Sequence, residues 1–295
     1  MSGDVRATRV DTAALLPELC RQVPSLVEFL SPGSLGLLAA TSVQMRQVVQ
    51  PLVTKISFKQ EDLFVEVDFG VLKNASWSGL QQLSLHTHRL CPQTMPVVVS
   101  ADLARLTKLD FCHSEMRWQT VSILAQGRCP LLQHLDLSFT CFGHKGVAEL
   151  VKGKWPHLQF LSLHSCYLSH QALAHLRQAA WPELRELMLG GTPITSGHAF
   201  EQDGGSKAIA ELVRCHWPKL ESLNLNNTCI AAEGVAVLKQ GSWPNLKKLM
   251  LSRNHLSTTA HLVNDEWPFL SHLNLSNALH SVSIADLIWI YQVVL

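Results

Sequence analysis

Leucine recurs along most of the chain in one fixed pattern that alternates with polar positions. After the dipeptide Trp155-Pro156, leucines occupy positions 158, 161 and 163, and Ser162 lies between the last two. Such alternation predicts a short strand that turns its leucines into a core and its polar residue outward. The same apolar spacing recurs in nine units, whose first residues are Gln50, Trp77, Leu103, Cys129, Trp155, Trp181, Trp217, Trp243 and Trp267.

The second half of each unit carries a helical pattern. Leu168, Ala172, Leu173 and Leu176 follow one another in steps of four, one and three, which places them on one face of a helix. Each unit is therefore predicted to be a strand, a turn and a helix. One such unit cannot bury its apolar faces alone, so neighbouring units must stack. Because helices are wider than strands, we expect the stack to curve, with a parallel sheet on its concave side.

The first position of each unit marks the boundary with the unit before it. Proline cannot continue a helix, so Pro156 and its equivalents are expected to end each helix and start the next strand. Six of the eight tryptophans occupy the first position of a unit. We interpret them as core residues that can stack ring on ring along the array, rather than as a surface for bases or ligands. The interval from Trp181 to Trp217 is ten residues longer than the usual 26, which predicts a surface insertion near residues 195–207.

The motif Leu-x-x-Leu-x-Leu-x-x-Cys-x-Leu at residues 158–168 resembles the leucine-rich repeats of the cysteine-containing type. The resemblance covers residues 50–295. It implies an α/β solenoid, a leucine-rich-repeat horseshoe of nine strand-turn-helix units. It also implies a protein-binding module, because members of that family bind other proteins.

The residues before the array differ in character. Residues 1–12 form a charged tail, and residues 13–49 contain helical pieces that resemble an F-box, with the motifs Leu-Pro-Glu-Leu at 16–19 and Leu-Val-Glu-Phe-Leu at 26–30. That resemblance implies binding to a Skp-type adaptor of a cullin-RING ubiquitin ligase. The residues that it places at or near the adaptor are Leu16, Pro17, Leu26 and Leu30. The alternative is a helical cap that shields the first unit of the solenoid.

Composition narrows the functional class. A net charge of +1 without a basic block argues against a nucleic-acid partner. Residues 1–12 lack an apolar signal-peptide core, and the chain has no run of about 18 apolar residues, so we expect an intracellular protein, cytoplasmic or nuclear, without a membrane partner. The eight cysteines form no Cys-x-x-Cys pair and are interpreted as reduced thiols. The sequence has no nucleophile elbow, phosphate-binding loop or His-x-x-x-His ligand pair, so we expect no enzyme, cofactor or metal site.

The outward strand positions and their flanks are the predicted binding surface, on the concave face. Phe139 and Phe160 are its expected anchors, since aromatic residues dominate many interfaces. The predicted function is substrate binding for ubiquitin ligation; the alternatives are a scaffold or structural subunit of a larger assembly without a ligase link, and an enzyme inhibitor. The residues predicted for the surface are Asp110, His113, His134, Asp136, Phe139, Phe160, Ser162, His164, Met188, Asn224, Asn226 and Arg253.

Overall fold

The computed structural model describes residues 53–59, 77–86, 89–90, 92–99, 103–194, 205–257 and 267–279. The predicted tail and the F-box-like segment, with Leu16, Pro17, Leu26 and Leu30, lie outside these residues. Residues 195–204, where most of the predicted insertion falls, lie outside them as well.

Nine short strands form one parallel sheet in the order in which they occur along the chain. In the seven three-residue strands, the central leucine of each is paired with the central leucine of the next, as Leu135 is with Leu161 and Leu161 with Leu187. The strands of the sheet are β1 Lys55–Lys59, β2 Gln82–His86, β4 Lys108–Asp110, β6 His134–Asp136, β7 Phe160–Ser162, β8 Glu186–Met188, β9 Ser222–Asn224, β10 Lys248–Met250 and β11 His272–Asn274. The order and register of these strands confirm the prediction of stacked units.

The turns and helices complete the units. A second, two-stranded sheet joins β3 Arg89–Leu90 to β5 Glu115–Met116. The helices are α1 Met95–Val99, α2 Trp118–Gln126, α3 Gly143–Leu150, α4 His170–Leu176, α5 Ser206–Leu212 and α6 Ala232–Leu238. The predicted helical face is buried: Ala172 and Leu173 have no exposed surface and Leu176 has 1%. None of the helices in the described ranges is long and apolar enough to cross a bilayer.

The unit-boundary tryptophans belong to the core. Trp155, Trp181, Trp217 and Trp243 are each 1% exposed. Their rings make no ring-to-ring contact with one another in the described residues, where the aromatic pairs all join a histidine to a phenylalanine. The expected ring-on-ring ladder is therefore not what buries them. The Trp155 indole instead lies so close to Gly153 that a Cβ there would come within 2.5 Å of the ring.

Candidate binding face of the sheet

The face of the sheet away from the leucine core carries the candidate site, and its shape depends on the turn after each strand. The third residue after a strand adopts a left-handed conformation, as in Phe139 with φ 58°. Its N–H donates to a carbonyl of the next unit; Phe139 N lies 2.8 Å from His164 O. This inter-unit bond holds the residue where its side chain points away from the core. The residues in this turn column are His113, Phe139, Ser165, Gly191, Asn227, Arg253 and Asn277.

Where Asp or Asn ends a strand, its side chain shapes the same turn. The Asp136 Oδ1 atom accepts a hydrogen bond from the Ser138 N–H at 2.9 Å. Asn224 Oδ1 accepts the equivalent bond from the Asn226 N–H, also at 2.9 Å. Asp and Asn side chains favour this local bond. One oxygen of each such residue therefore supports the backbone and leaves only the remainder of the side chain for a ligand.

Five ring side chains from three adjacent units lie on this face in two groups, one of His134 and Phe160 and the other of His113, Phe139 and His164; we name the five together the aromatic cluster. The His134 and Phe160 rings are stacked, with centroids 3.9 Å apart and planes 2° from parallel. The His113 and Phe139 rings are stacked at 4.2 Å and 8°. The Phe139 ring also meets the edge of His164 at 5.2 Å and 66°. Such contacts hold the rings in place, and Phe139 is still 44% exposed.

Two consecutive glycines make room for one member of the cluster. A Cβ on Gly191 would lie 2.8 Å from the His164 ring and 2.3 Å from the Ser165 hydroxyl. A Cβ on Gly190 would lie 3.2 Å from His164 Nδ1 and 2.8 Å from a neighbouring carbonyl. The sequence pattern did not predict this role. Its signal was a Gly-Gly pair at positions where the next unit carries Asn226 and Asn227.

The charged groups of this region include two carboxylates, Asp110 and Asp136, and the ammonium of Lys108. His86 Nε2 lies 2.8 Å from Asp110 Oδ2, so Asp110 has a partner. Burial lowers the pKa of His134, and nearby Lys108 lowers it further, against the opposing effect of Asp136 and Asp110. Burial likewise lowers the pKa of His164, against the effect of Asp136. Both imidazoles are therefore neutral at pH 7.

Burial also raises the pKa of the Cys112 thiol to about 11, with smaller contributions from Asp136 and Asp110. That thiol is therefore protonated at neutral pH and a poor nucleophile. Within the described ranges, no three His, Cys, Asp or Glu side chains lie close enough to hold a metal ion.

The remaining predicted site residues do not join the cluster. Ser162 is only 4% exposed, and its hydroxyl lies 2.6 Å from that of Ser138, so it offers little surface to a partner. Asn226 Oδ1 accepts the Ser252 N–H at 2.8 Å. Met188 and Asn224 are half-buried on later strands, and Arg253 is exposed three units beyond His164.

An exposed aromatic side chain in the turn after β7 was absent from the predicted surface. Tyr167 is 72% exposed and adopts a left-handed φ of 54° in the turn between β7 and α4. It occupies the position that Cys141 holds one unit earlier. Cys141, His113 and Phe139 line a cavity of about 590 Å³ beside the start of α2. The aromatic cluster therefore borders a recess at the edge of the sheet.

Comparison with a family model supports the fold. A family model described as Leucine Rich repeat matches residues 128–151 and 217–239. Among solved structures, the chain is similar to internalin C2 from Listeria monocytogenes, with 19% identity and a TM-score of 0.49 over 85% of this chain and 91% of that chain. No curated protein matches the sequence. With two segments matched by the repeat model and nine strands in one parallel sheet, the chain is an α/β leucine-rich-repeat solenoid.

Proposed function

We propose that this chain is a protein-binding module and that its partner binds the open face of the sheet at the aromatic cluster. The observation that carries the proposal is the left-handed backbone of Phe139, an exposed residue with a bulky side chain. A bulky side chain rarely adopts a left-handed conformation, and such a residue costs about 1–3 kcal/mol. Among the equivalent turns, Ser165, Gly191 and Asn227 fit that conformation or bring less bulk to it, whereas His113 and Arg253 are also bulky. Phe139 is 44% exposed, so burial in the core does not compensate for the strain.

The surroundings of Phe139 suit a macromolecular ligand. The His113 ring stacked on Phe139 and the His164 ring at its edge already have fixed orientations, so little side-chain entropy is lost when a partner binds. The cavity of about 590 Å³ beside Phe139 can take a side chain of the partner. Tyr167 adds a second exposed aromatic ring in the following unit. Aromatic residues of this kind supply much of the energy of known interfaces.

A narrower function is supported by the F-box resemblance of residues 13–49. In that function the aromatic cluster holds a substrate, and the segment docks a Skp-type adaptor through Leu16, Pro17, Leu26 and Leu30, so that a cullin-RING ligase inside the cell can modify the substrate. The alternative is a scaffold or structural subunit with no ligase link, which would use the same face.

The test is affinity capture with the full chain, compared with Phe139→Asn. Asparagine suits the left-handed turn, as at Asn227 and Asn277, so the substitution removes the aromatic ring and keeps the backbone. Phe269→Asn is the matched control, because Phe269 is 60% exposed and lies before β11, away from the cluster. We expect partners that Phe269→Asn retains and Phe139→Asn loses, with binding then reproduced between purified proteins.

The same experiment separates the narrower function from its alternative. A substrate receptor should recover a Skp-type adaptor with both variants, since the adaptor would bind residues 13–49. Recovery of protein partners without a Skp-type adaptor would favour the alternative function as a scaffold or structural subunit. Capture that is equal for Phe139→Asn and the original chain would contradict the proposed binding face.

A further inference from the structure

Another cavity lies on the helical side of the array, where α2 and α3 end and Cys129 begins a unit. Its volume is about 550 Å³. Sites for small ligands occupy roughly 300–1,000 Å³, so this cavity is large enough to take a side chain of a partner. It shares no lining residue with the cavity beside Phe139 and is therefore separate from the proposed binding face.

The cavity lies where the neighbouring unit has an indole. In that unit the ring of Trp155 packs on Gly153, where a Cβ would come within 2.5 Å of the ring. Gly127 and Pro130 flank Cys129 in the same way, and all three residues line the cavity. A thiol has much less volume than an indole. The space at this boundary therefore suits a flat aromatic ring that Cys129 does not supply.

The inner wall of the cavity is uncharged. Ala125, Gly127 and Pro130 contribute apolar surface. Burial raises the pKa of the Cys129 thiol to about 11, so the thiol is protonated at pH 7. A protonated cysteine behaves as a small apolar side chain. The wall can thus bury an aromatic ring by hydrophobic contact.

The rim of the cavity is positively charged. Arg128 and Lys154 directly precede the first residues of adjacent units, a position at which the other seven units carry no lysine or arginine. Both side chains are exposed, and neither forms a salt bridge within the described part of the chain. The carboxylate on the rim, Glu149, lies 2.7 Å from Lys152 Nζ and accepts the Ser122 hydroxyl at 2.9 Å. Three cations against one paired carboxylate leave the rim attractive to an anion.

We propose that this cavity binds a tryptophan side chain of a partner protein, on a segment with acidic residues on both sides of the tryptophan. The indole fills at Cys129 the kind of space that Trp155 fills in the next unit. The carboxylates beside it interact with Arg128 and Lys154. Exposed charge pairs contribute little affinity, so the ring supplies most of the binding and the charges select an acidic segment.

The experiment titrates the full chain at pH 7.5 with the capped peptide acetyl-Glu-Trp-Glu-amide and follows the backbone amide NMR signals of Ala125 and Gly127. Three probes are run in parallel: acetyl-Glu-Ala-Glu-amide lacks the ring, acetyl-Gln-Trp-Gln-amide lacks the charges, and indole-3-propionate lacks the peptide. We expect saturable shifts with the Glu-Trp-Glu peptide and none with the alanine peptide. The glutamine peptide should bind about tenfold more weakly, the effect of losing two exposed charge pairs.

Cys129→Trp is a variant that the array itself supplies, because it places in the cavity the residue that begins the next unit. It should abolish the shifts, whereas Cys129→Ser keeps the cavity open and should retain them. Arg128→Gln combined with Lys154→Gln should weaken binding of the Glu-Trp-Glu peptide about tenfold and leave the glutamine peptide unaffected. Lys248→Gln is the control, since Lys248 is exposed on β10, away from the cavity.

Equal binding of the alanine or the glutamine peptide would overturn the inference, and so would binding that survives Cys129→Trp. Tighter binding of indole-3-propionate than of the peptide would overturn it as well, because a small aromatic acid would then be the occupant. If Cys129→Trp does not fold, the variant with both glutamine substitutions decides, since unchanged affinity for the Glu-Trp-Glu peptide contradicts a charged rim. None of these outcomes involves Phe139, so failure here is distinguishable from failure of the proposed function.

Discussion

In several turns a buried polar residue follows the left-handed residue, as Asn254 follows Arg253, where it holds neighbouring units together. Asn254 is 1% exposed and links two units through four backbone groups. Its Nδ2 donates to Leu225 O at 2.8 Å and to Leu251 O at 2.9 Å. Its Oδ1 accepts from the N–H groups of Thr228 and Ile230 at 3.1 and 3.0 Å. The polar residue of the turn thus satisfies backbone groups that would otherwise be buried without a partner.

Asn254→Ala should lower the free energy of unfolding by about 3 kcal/mol or more, because it leaves several buried donors and acceptors unpaired. Urea unfolding followed by tryptophan fluorescence measures the change. Asn245→Ala is the control, since Asn245 is exposed and its amide makes a bond of 2.8 Å to Pro218 O. The control substitution should lower the free energy of unfolding by less than about 1 kcal/mol. Equal losses for the two variants would show that the Asn254 bonds do not stabilise the array.

At the scale of one unit, the boundary tryptophan fills the space between the end of a helix and the next strand. The Gly153 N–H donates to Leu150 O at 3.0 Å as α3 ends, and the Trp155 ring packs on that glycine. In the preceding unit Cys129 replaces the tryptophan, and a cavity of about 550 Å³ lies beside it, lined by Gly127, Cys129 and Pro130 among others. The comparison indicates that each indole acts by filling volume in its own unit.

Trp155→Cys, which copies the Cys129 unit, should therefore cost about 3–5 kcal/mol, the range for a large aromatic side chain lost from a core. Trp118→Cys should cost less than about 1 kcal/mol, since Trp118 is 41% exposed at the start of α2. Thermal and urea unfolding of both variants provide the comparison. A loss at Trp155 no greater than at Trp118 would mean that the indole is not a core element.

The strands and helices could be predicted from the sequence because the pattern of each element recurs in many units. Leu135, Leu161 and Leu187 obey one spacing, and each is fully buried in the predicted register. The meeting of His113 with Phe139 could not be predicted in the same way. This contact depends on left-handed turns and on the orientations of the rings. The outward positions of the repeat vary from unit to unit, so the sequence does not predict either. Ser162 shows the same limit, since alternation predicts its direction but not its burial by neighbours.

Across the whole molecule, stability is distributed along the array and depends on nearest neighbours. Strand β7 pairs with β6 on one side and β8 on the other, whereas β11 pairs only with β10 in the described residues. Ion pairs also join adjacent units, as between Glu183 and Lys219. In such a solenoid, each unit contributes its own stability and the interfaces with its neighbours. A defect in the middle of the array weakens two interfaces, whereas one at β11 weakens the single interface seen there.

We therefore expect Leu161→Ala to lower the free energy of unfolding by about 3–5 kcal/mol, because the Leu161 side chain is fully buried and both neighbouring units pack on it. Leu273→Ala, at a position 8% exposed on β11, should cost roughly half as much. The two variants should also differ in the denaturant dependence of unfolding. Leu273→Ala should allow β11 to unfold before the rest of the array, so that the main transition exposes less surface. The urea m-value should therefore fall for Leu273→Ala and stay unchanged for Leu161→Ala. Equal losses with equal m-values would instead indicate that the described units unfold as one globular core.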